Sequence, residues 1–147
     1  MDRVIKFRGK RIDNGEWVYG DIELPRNREA AIIHCYLDDG NYNRQFEVQK
    51  ESVGQFTGLH DKNGKEIYEG DIVRWQYPCS ESDTGWSGWS KSKFCEVKFE
   101  YGAFYIDEYP YALGKTLDFD DGEDWRLEVI GNIYDNPDLL EGGENGK

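Results

Sequence analysis

The stretch Asp61-Lys62-Asn63-Gly64-Lys65-Glu66-Ile67-Tyr68-Glu69-Gly70-Asp71-Ile72-Val73-Arg74-Trp75 decides how this chain is read. A polar turn comes first, then Ile67, then a second turn at Gly70-Asp71, and then the apolar, β-branched run from Ile72 to Trp75. Asn-Gly supplies the positive φ that a tight hairpin needs, and a short apolar run bounded by turn residues has the length of a strand rather than a helix. The segment therefore predicts β structure on both sides of a tight connection.

The same grammar recurs on both sides of this segment. Val4-Ile5-Lys6-Phe7 reads as an opening strand, Asp13-Asn14-Gly15 as a turn, and Trp17-Val18-Tyr19 with Ile22 as a second strand. Ala30-Ala31-Ile32-Ile33 and the alternating Gln45-Phe46-Glu47-Val48 follow, separated by the turn-rich Asp38-Asp39-Gly40-Asn41. Val53 and Phe56 precede the deciding segment. Beyond it, Cys95-Glu96-Val97-Lys98-Phe99 and Phe104-Tyr105-Ile106 form a hairpin around Glu100-Tyr101-Gly102-Ala103, and Leu127-Glu128-Val129-Ile130 suggests a last strand. The span 78–93, rich in Ser and Gly, reads as a long loop, residues 112–117 as a short helical turn, and Asn136-Pro137 as a helix start in which Asn caps and Pro takes the first helical position. Asn14-Gly15-Glu16-Trp17-Val18-Tyr19-Gly20-Asp21-Ile22 also echoes Asn63-Gly64-Lys65-Glu66-Ile67-Tyr68-Glu69-Gly70-Asp71-Ile72, with one extra residue in the second copy. The fold class expected is mainly β, in small curled-sheet or barrel-like modules with at most short helices. Residues 1–140 form one domain, open to division into β subdomains 1–77 and 94–140 around loop 78–93, and 141–147 is a flexible tail.

Composition narrows the function. The 147 residues carry 18 Lys+Arg against 30 Asp+Glu, a net charge of -12, which opposes phosphate backbones and anionic membranes at long range. An aromatic share of 15% argues for a folded chain, because acidic disordered segments are poor in Trp, Tyr and Phe. No signal-peptide pattern or run of about 20 apolar residues occurs, and Cys35, Cys79 and Cys95 are an odd, widely spaced set that suits a reducing cytoplasm.

Catalytic chemistry finds little footing. Asp61, Glu66, Glu69 and Asp71 with His60 are the nearest acid/base or divalent-metal candidates and carry the metal-dependent hydrolase alternative, but Asp and Gly in this pattern serve turns equally well. His34 has no second His nearby, and the cysteines lack C-x-x-C or zinc-finger spacing. Phosphate-loop glycine spacing is missing too, so no catalytic residue, metal or cofactor is assigned. Binding is the better expectation. Trp86 and Trp89 in the Ser/Gly-rich span offer large aromatic faces, and Asp118, Asp120, Asp121 and Asp124 offer charge that selects a basic protein partner. The same Trp residues would equally complete a small core. RNA or DNA binding through Arg8, Lys10 and Arg11, with Trp17 stacking, is the alternative, while a charged edge that discourages strand pairing explains the same cations.

The run Gln55-Phe56-Thr57-Gly58-Leu59-His60-Asp61-Lys62-Asn63-Gly64-Lys65-Glu66-Ile67-Tyr68-Glu69-Gly70-Asp71-Ile72-Val73 resembles the central signature of the YopX family of phage and prophage proteins. Ile5-Lys6-Phe7-Arg8-Gly9-Lys10 and Glu128-Val129-Ile130-Gly131-Asn132-Ile133-Tyr134-Asp135-Asn136-Pro137-Asp138-Leu139-Leu140 are similar to the two ends of that family, so the resemblance covers residues 1–140. His60 departs in charge from the Lys that would suit its place. The resemblance implies a predominantly β fold, self-association as a homo-oligomer, and no catalytic residues to carry over. The expected function is a non-enzymatic phage or prophage accessory protein acting through protein contacts in the cytoplasm, that of the host if phage-encoded.

Overall fold

A computed structural model describes residues 3–36, 42–76, 78–80, 83–89, 93–106 and 126–141. The expected turn 38–41, the helical turn 112–117, the acidic tract 118–124 and most of the tail lie outside the described residues. The chain divides into two compact units, Met1–Gly58 and Leu59–Lys147. Asp71–Gln76 fall in the second unit with the late strands they pair with.

The first unit holds β1 (Phe7–Lys10), β2 (Trp17–Glu23), β3 (Ala30–Tyr36) and β4 (Tyr42–Gln49), with β5 (Gly54–His60) running across the boundary. Strand order is β4-β3-β2-β1-β5, with each neighbouring pair antiparallel. Pairing starts at Phe7, later than the expected Val4, with Gly20 opposite on one side and Gln55 on the other. The sheet curls, and β2 shows how. Its first half, Trp17 to Gly20, pairs with β1, and its second half, Asp21 to Glu23, pairs with β3. The handover falls at Gly20, where a Cβ would overlap the backbone oxygen of His34. Carried on through β4, the curl brings Val48 back to Arg11 in a single bridge, and the Ile12 N–H donates to the Glu47 carbonyl at 3.1 Å. Gly9 makes that return tight, since a Cβ there would sit 2.7 Å from Val48 Cγ2. One bridge is not a ladder, so the result is a curled sheet rather than a closed barrel. Inside the curl, Ala31, Ile33 and Val48 are fully buried, with Phe7, Val18, Ile22, Cys35 and Val53 packed around them. Each such large aliphatic side chain contributes roughly 1.5–3 kcal/mol of burial free energy.

The second unit contains β6 (Glu66–Tyr68), the neighbour of β5, then β7 (Asp71–Gln76), β10 (Lys93–Glu100), β11 (Ala103–Ile106) and β12 (Arg126–Asn132) in the order β11-β10-β7-β12. Ile67, Val73, Trp75, Cys95, Val97, Ile106, Leu127 and Val129 form its core. The buried Trp75 indole N–H donates to Cys95 Sγ at 3.2 Å, so this core aromatic keeps its polar atom satisfied. The span 78–93 is not all loop: β8 (Pro78–Ser80) and β9 (Ser87–Trp89) pair antiparallel as a two-stranded ribbon. Asp83-Thr84-Gly85 turns the chain between them, with Gly85 at φ +70°, and the Ser and Gly content that suggested a loop belongs partly to strands. Ahead of the short helix Asp138–Glu141, Asn136 Oδ1 accepts the Asn132 N–H at 3.3 Å.

The deciding segment is bound to β12. Asp61 is buried, and its carboxylate accepts the amides of Asn63 at 2.8 Å, Lys65 at 2.9 Å and Val129 at 2.9 Å. Lys62 N–H donates to Leu127 O at 3.0 Å, and Ile133 N–H donates to Gly70 O at 3.0 Å. Arg74 reaches Glu128 at 2.6 Å and Lys62 reaches it at 3.6 Å. The two sequence signatures that appear together are therefore two edges of one hydrogen-bonded element.

Candidate protein-contact site

Trp86 stands at the turn of the β8–β9 ribbon, 50% exposed. Its backbone N–H donates to Thr84 Oγ1 at 3.3 Å, which fixes the approach to the turn. Its ring lies on Gly88: a Cβ built at Gly88 would fall 2.5 Å from Trp86 Cζ2 and 2.9 Å from Cη2. The glycine is thus a seat for the indole, which lies against the ribbon while half of its surface faces outward. Trp89 is half-buried, opposite Pro78 in the ribbon. The structure brings both tryptophans onto one ribbon. Asp118, Asp120, Asp121 and Asp124 lie outside the described residues.

The basic residues of the nucleic-acid reading lie in the first unit, with rings already against them. Arg8 is buried, its guanidinium 4.6 Å from the Trp17 ring centre, and Lys10 Nζ is 5.9 Å from the same ring. Lys6 lies 5.5 Å from the Phe56 ring centre. Arg11 stacks at 4.2 Å on Phe46 and is held by Asp13, with Nε to Oδ1 at 2.9 Å and Nη2 to Oδ2 at 2.6 Å. This pairing raises the Arg11 pKa and lowers that of Asp13, in each case chiefly through the hydrogen bonds between them. Arg11, Ile12, Asp13, Gln45, Phe46 and Glu47 border an open cleft of about 260 Å³ in which both signs of charge already face each other.

Three of the acidic candidates for catalysis make hydrogen bonds within the fold. Asp61 receives three backbone amides, Asp71 is buried and accepts the Tyr68 N–H at 2.7 Å, and Glu66 accepts the Tyr68 hydroxyl at 3.0 Å. His34 Nε2 sits 3.0 Å from Glu23 Oε2 on the sheet surface. Burial pushes the Cys35 thiol pKa up, away from the reactive thiolate, and Cys95 lies in the core. Among the described residues, no group of three or more His, Cys, Asp or Glu is arranged to hold a metal ion, and no helix is long and apolar enough to cross a membrane.

The sequence reading passed over two exposed aromatics. Phe99 is 49% exposed and Tyr101 is 96% exposed, both at the β10–β11 hairpin. The available signal was Tyr101-Gly102 as a two-residue loop, where Asn-Gly is the expected pair.

Fold and surface together define a class: a mainly β protein of two open antiparallel sheets and a small ribbon, with aromatic side chains displayed on its turns. Within that class, a family model described as YopX protein matches residues 6–141, and the chain belongs to the YopX family. It is similar to the SPbeta prophage-derived uncharacterized protein YopX of Bacillus subtilis (strain 168), at 37% identity over 84 residues. That match takes in 54% of this chain and 53% of the relative, so it spans about half the length of that protein. Among solved structures, protein EF1440 from Enterococcus faecalis superposes with a TM-score of 0.59 at 23% identity, over 95% of this chain and 99% of the other, a likeness of fold.

Proposed function

We propose that the protein is a non-enzymatic phage or prophage accessory protein that binds another protein through the Trp86 ribbon. The observation that carries this reading is the half-exposed indole seated on Gly88. Protein interfaces draw most of their energy from a few large, preorganised aromatic anchors, and an indole fixed before contact loses little entropy on binding. The acids at 118–124 add long-range attraction for a basic partner. That Arg8, Lys10 and Arg11 already lie against Trp17 and Phe46 favours this reading over nucleic-acid binding.

The test is affinity capture from host cells with the native chain and with Trp86→Ala, circular dichroism first establishing that the variant is folded. A partner retained by the native chain and lost by the folded variant supports the proposal. Identical specific partners for both would sink the Trp86 role. Salt-sensitive binding of RNA or DNA that weakens in an Arg11→Gln, Lys10→Gln variant would favour the alternative.

A further inference from the structure

The charge of the chain is not spread evenly. Residues 1–58 carry nine Lys or Arg against ten Asp or Glu, whereas residues 59–147 carry nine against twenty. Of the net -12, all but one charge therefore belongs to the second unit. That same unit displays Phe99 and Tyr101 at one hairpin tip, with the exposed Glu100 between them in sequence.

Folding does not account for Tyr101. Glu100 pairs with Ala103, leaving Tyr101-Gly102 as the loop, with φ +52° and +80°. Positive φ at both central residues marks the type I′ turn, for which Asn-Gly is favoured and a bulky aromatic is poorly suited. Tyr101 holds this left-handed backbone with its side chain almost wholly in solvent, so no packing offsets the conformation. Phe99 does take part in folding, edge-on to Phe104 with ring centres 5.0 Å apart, yet half of it remains open.

The protein shows within its first unit what chemistry suits such rings. There, Lys6 lies over Phe56, Arg8 over Trp17 and Arg11 over Phe46. Among the described residues, none places a cation over Tyr101 or Phe99. An aromatic face beside the exposed Glu100, in a unit whose sequence is strongly acidic, favours a cation, and a guanidinium more than an ammonium because it stacks flat on the ring. We propose that the β10–β11 tip, with Tyr101 at its centre and Phe99 beside it, is a docking site for an arginine-rich segment of a partner protein. The unit's net negative charge draws the segment in and Tyr101 supplies the stacking surface. This site does not depend on Trp86.

The experiment is a titration of the full chain with an octa-arginine peptide, read by calorimetry and by the amide resonance of Gly102, with octa-lysine and octa-glutamate peptides alongside. The native chain binds octa-arginine more tightly than octa-lysine, does not bind octa-glutamate, and shifts the Gly102 resonance. Tyr101→Phe keeps the ring and the binding. Tyr101→Asn weakens octa-arginine by about two- to fivefold, the range of a cation–π contact at an exposed ring, while raising the thermal midpoint, because Asn suits the turn. Trp86→Ala leaves the Gly102 response in place, which separates this site from the ribbon. Equal affinity in Tyr101→Asn, meaning attraction by diffuse negative charge alone, would overturn the proposal, as would absence of binding by the native chain.

Discussion

At the scale of single residues, two positions have consequences that can be measured. Gly20 is where β2 changes partners, and the His34 backbone oxygen occupies the place of its missing Cβ. Backbone cannot rotate aside as a side chain can, so Gly20→Ala is expected to cost about 3 kcal/mol or more, read as a drop in the urea midpoint. The Arg11–Asp13 pair gives a pH signature. Because Arg11 holds the folded Asp13 pKa below its ordinary value of 3.8, the pair's contribution is complete above that value and is lost as the pH falls through the lower, folded one. A carboxyl NMR titration of Asp13 should therefore show a midpoint below 3.8 that returns toward it in Arg11→Gln. An unchanged midpoint in the variant would remove Arg11 as the cause.

Among elements, the union of the 61–71 segment with β12 concentrates in one carboxylate. Asp61→Ala strands the three amides it receives, the Val129 amide inside the unit, and should cost roughly 3–5 kcal/mol in chemical denaturation. Asp61→Asn keeps one acceptor oxygen and should fall between native and Ala; equal losses in both variants would locate the effect in charge rather than geometry. In the ribbon, Gly88→Val removes the seat of Trp86 and should change the indole emission while leaving β7, β10 and β12 paired. Much of this was legible beforehand, because strands in this chain are local patterns bounded by turns: the Gly64 turn at φ +79° and the β10–β11 hairpin stand where the residues put them, and the turn expected at Gly70-Asp71 lies one residue earlier, at Glu69-Gly70. The internal echo was legible only by half. Gly15 and Gly64 both turn the chain at positive φ, but Gly20-Asp21 lies inside the single strand β2, whereas the second copy turns at Glu69-Gly70 between β6 and β7, with Asp71 opening β7. That Trp86 rests on Gly88, or that Asp61 receives Val129, depends on contacts no local pattern encodes.

For the molecule as a whole, the uneven distribution of charge predicts a salt response. The repulsion is concentrated in residues 59–147, so screening should raise the thermal midpoint between low salt and about 0.2 M NaCl, beyond which the gain levels off as the Debye length falls under 10 Å. A midpoint indifferent to NaCl would mean that opposite charges already offset one another locally. The strand order of the second unit also has a bearing on the order of events during translation. β7 lies between β10 and β12, and β12 begins only at Arg126, while the partners that fill the first unit's curl all lie before residue 59. On the ribosome, a nascent chain that has emerged through β10 presents β7 with one side paired and a row of unsatisfied amides and carbonyls on the other, along Ile72, Val73 and Trp75. The Val129 amide that completes Asp61 arrives with the same late strand, so the second unit closes only once β12 has emerged, and chaperone demand should peak in the interval before it does.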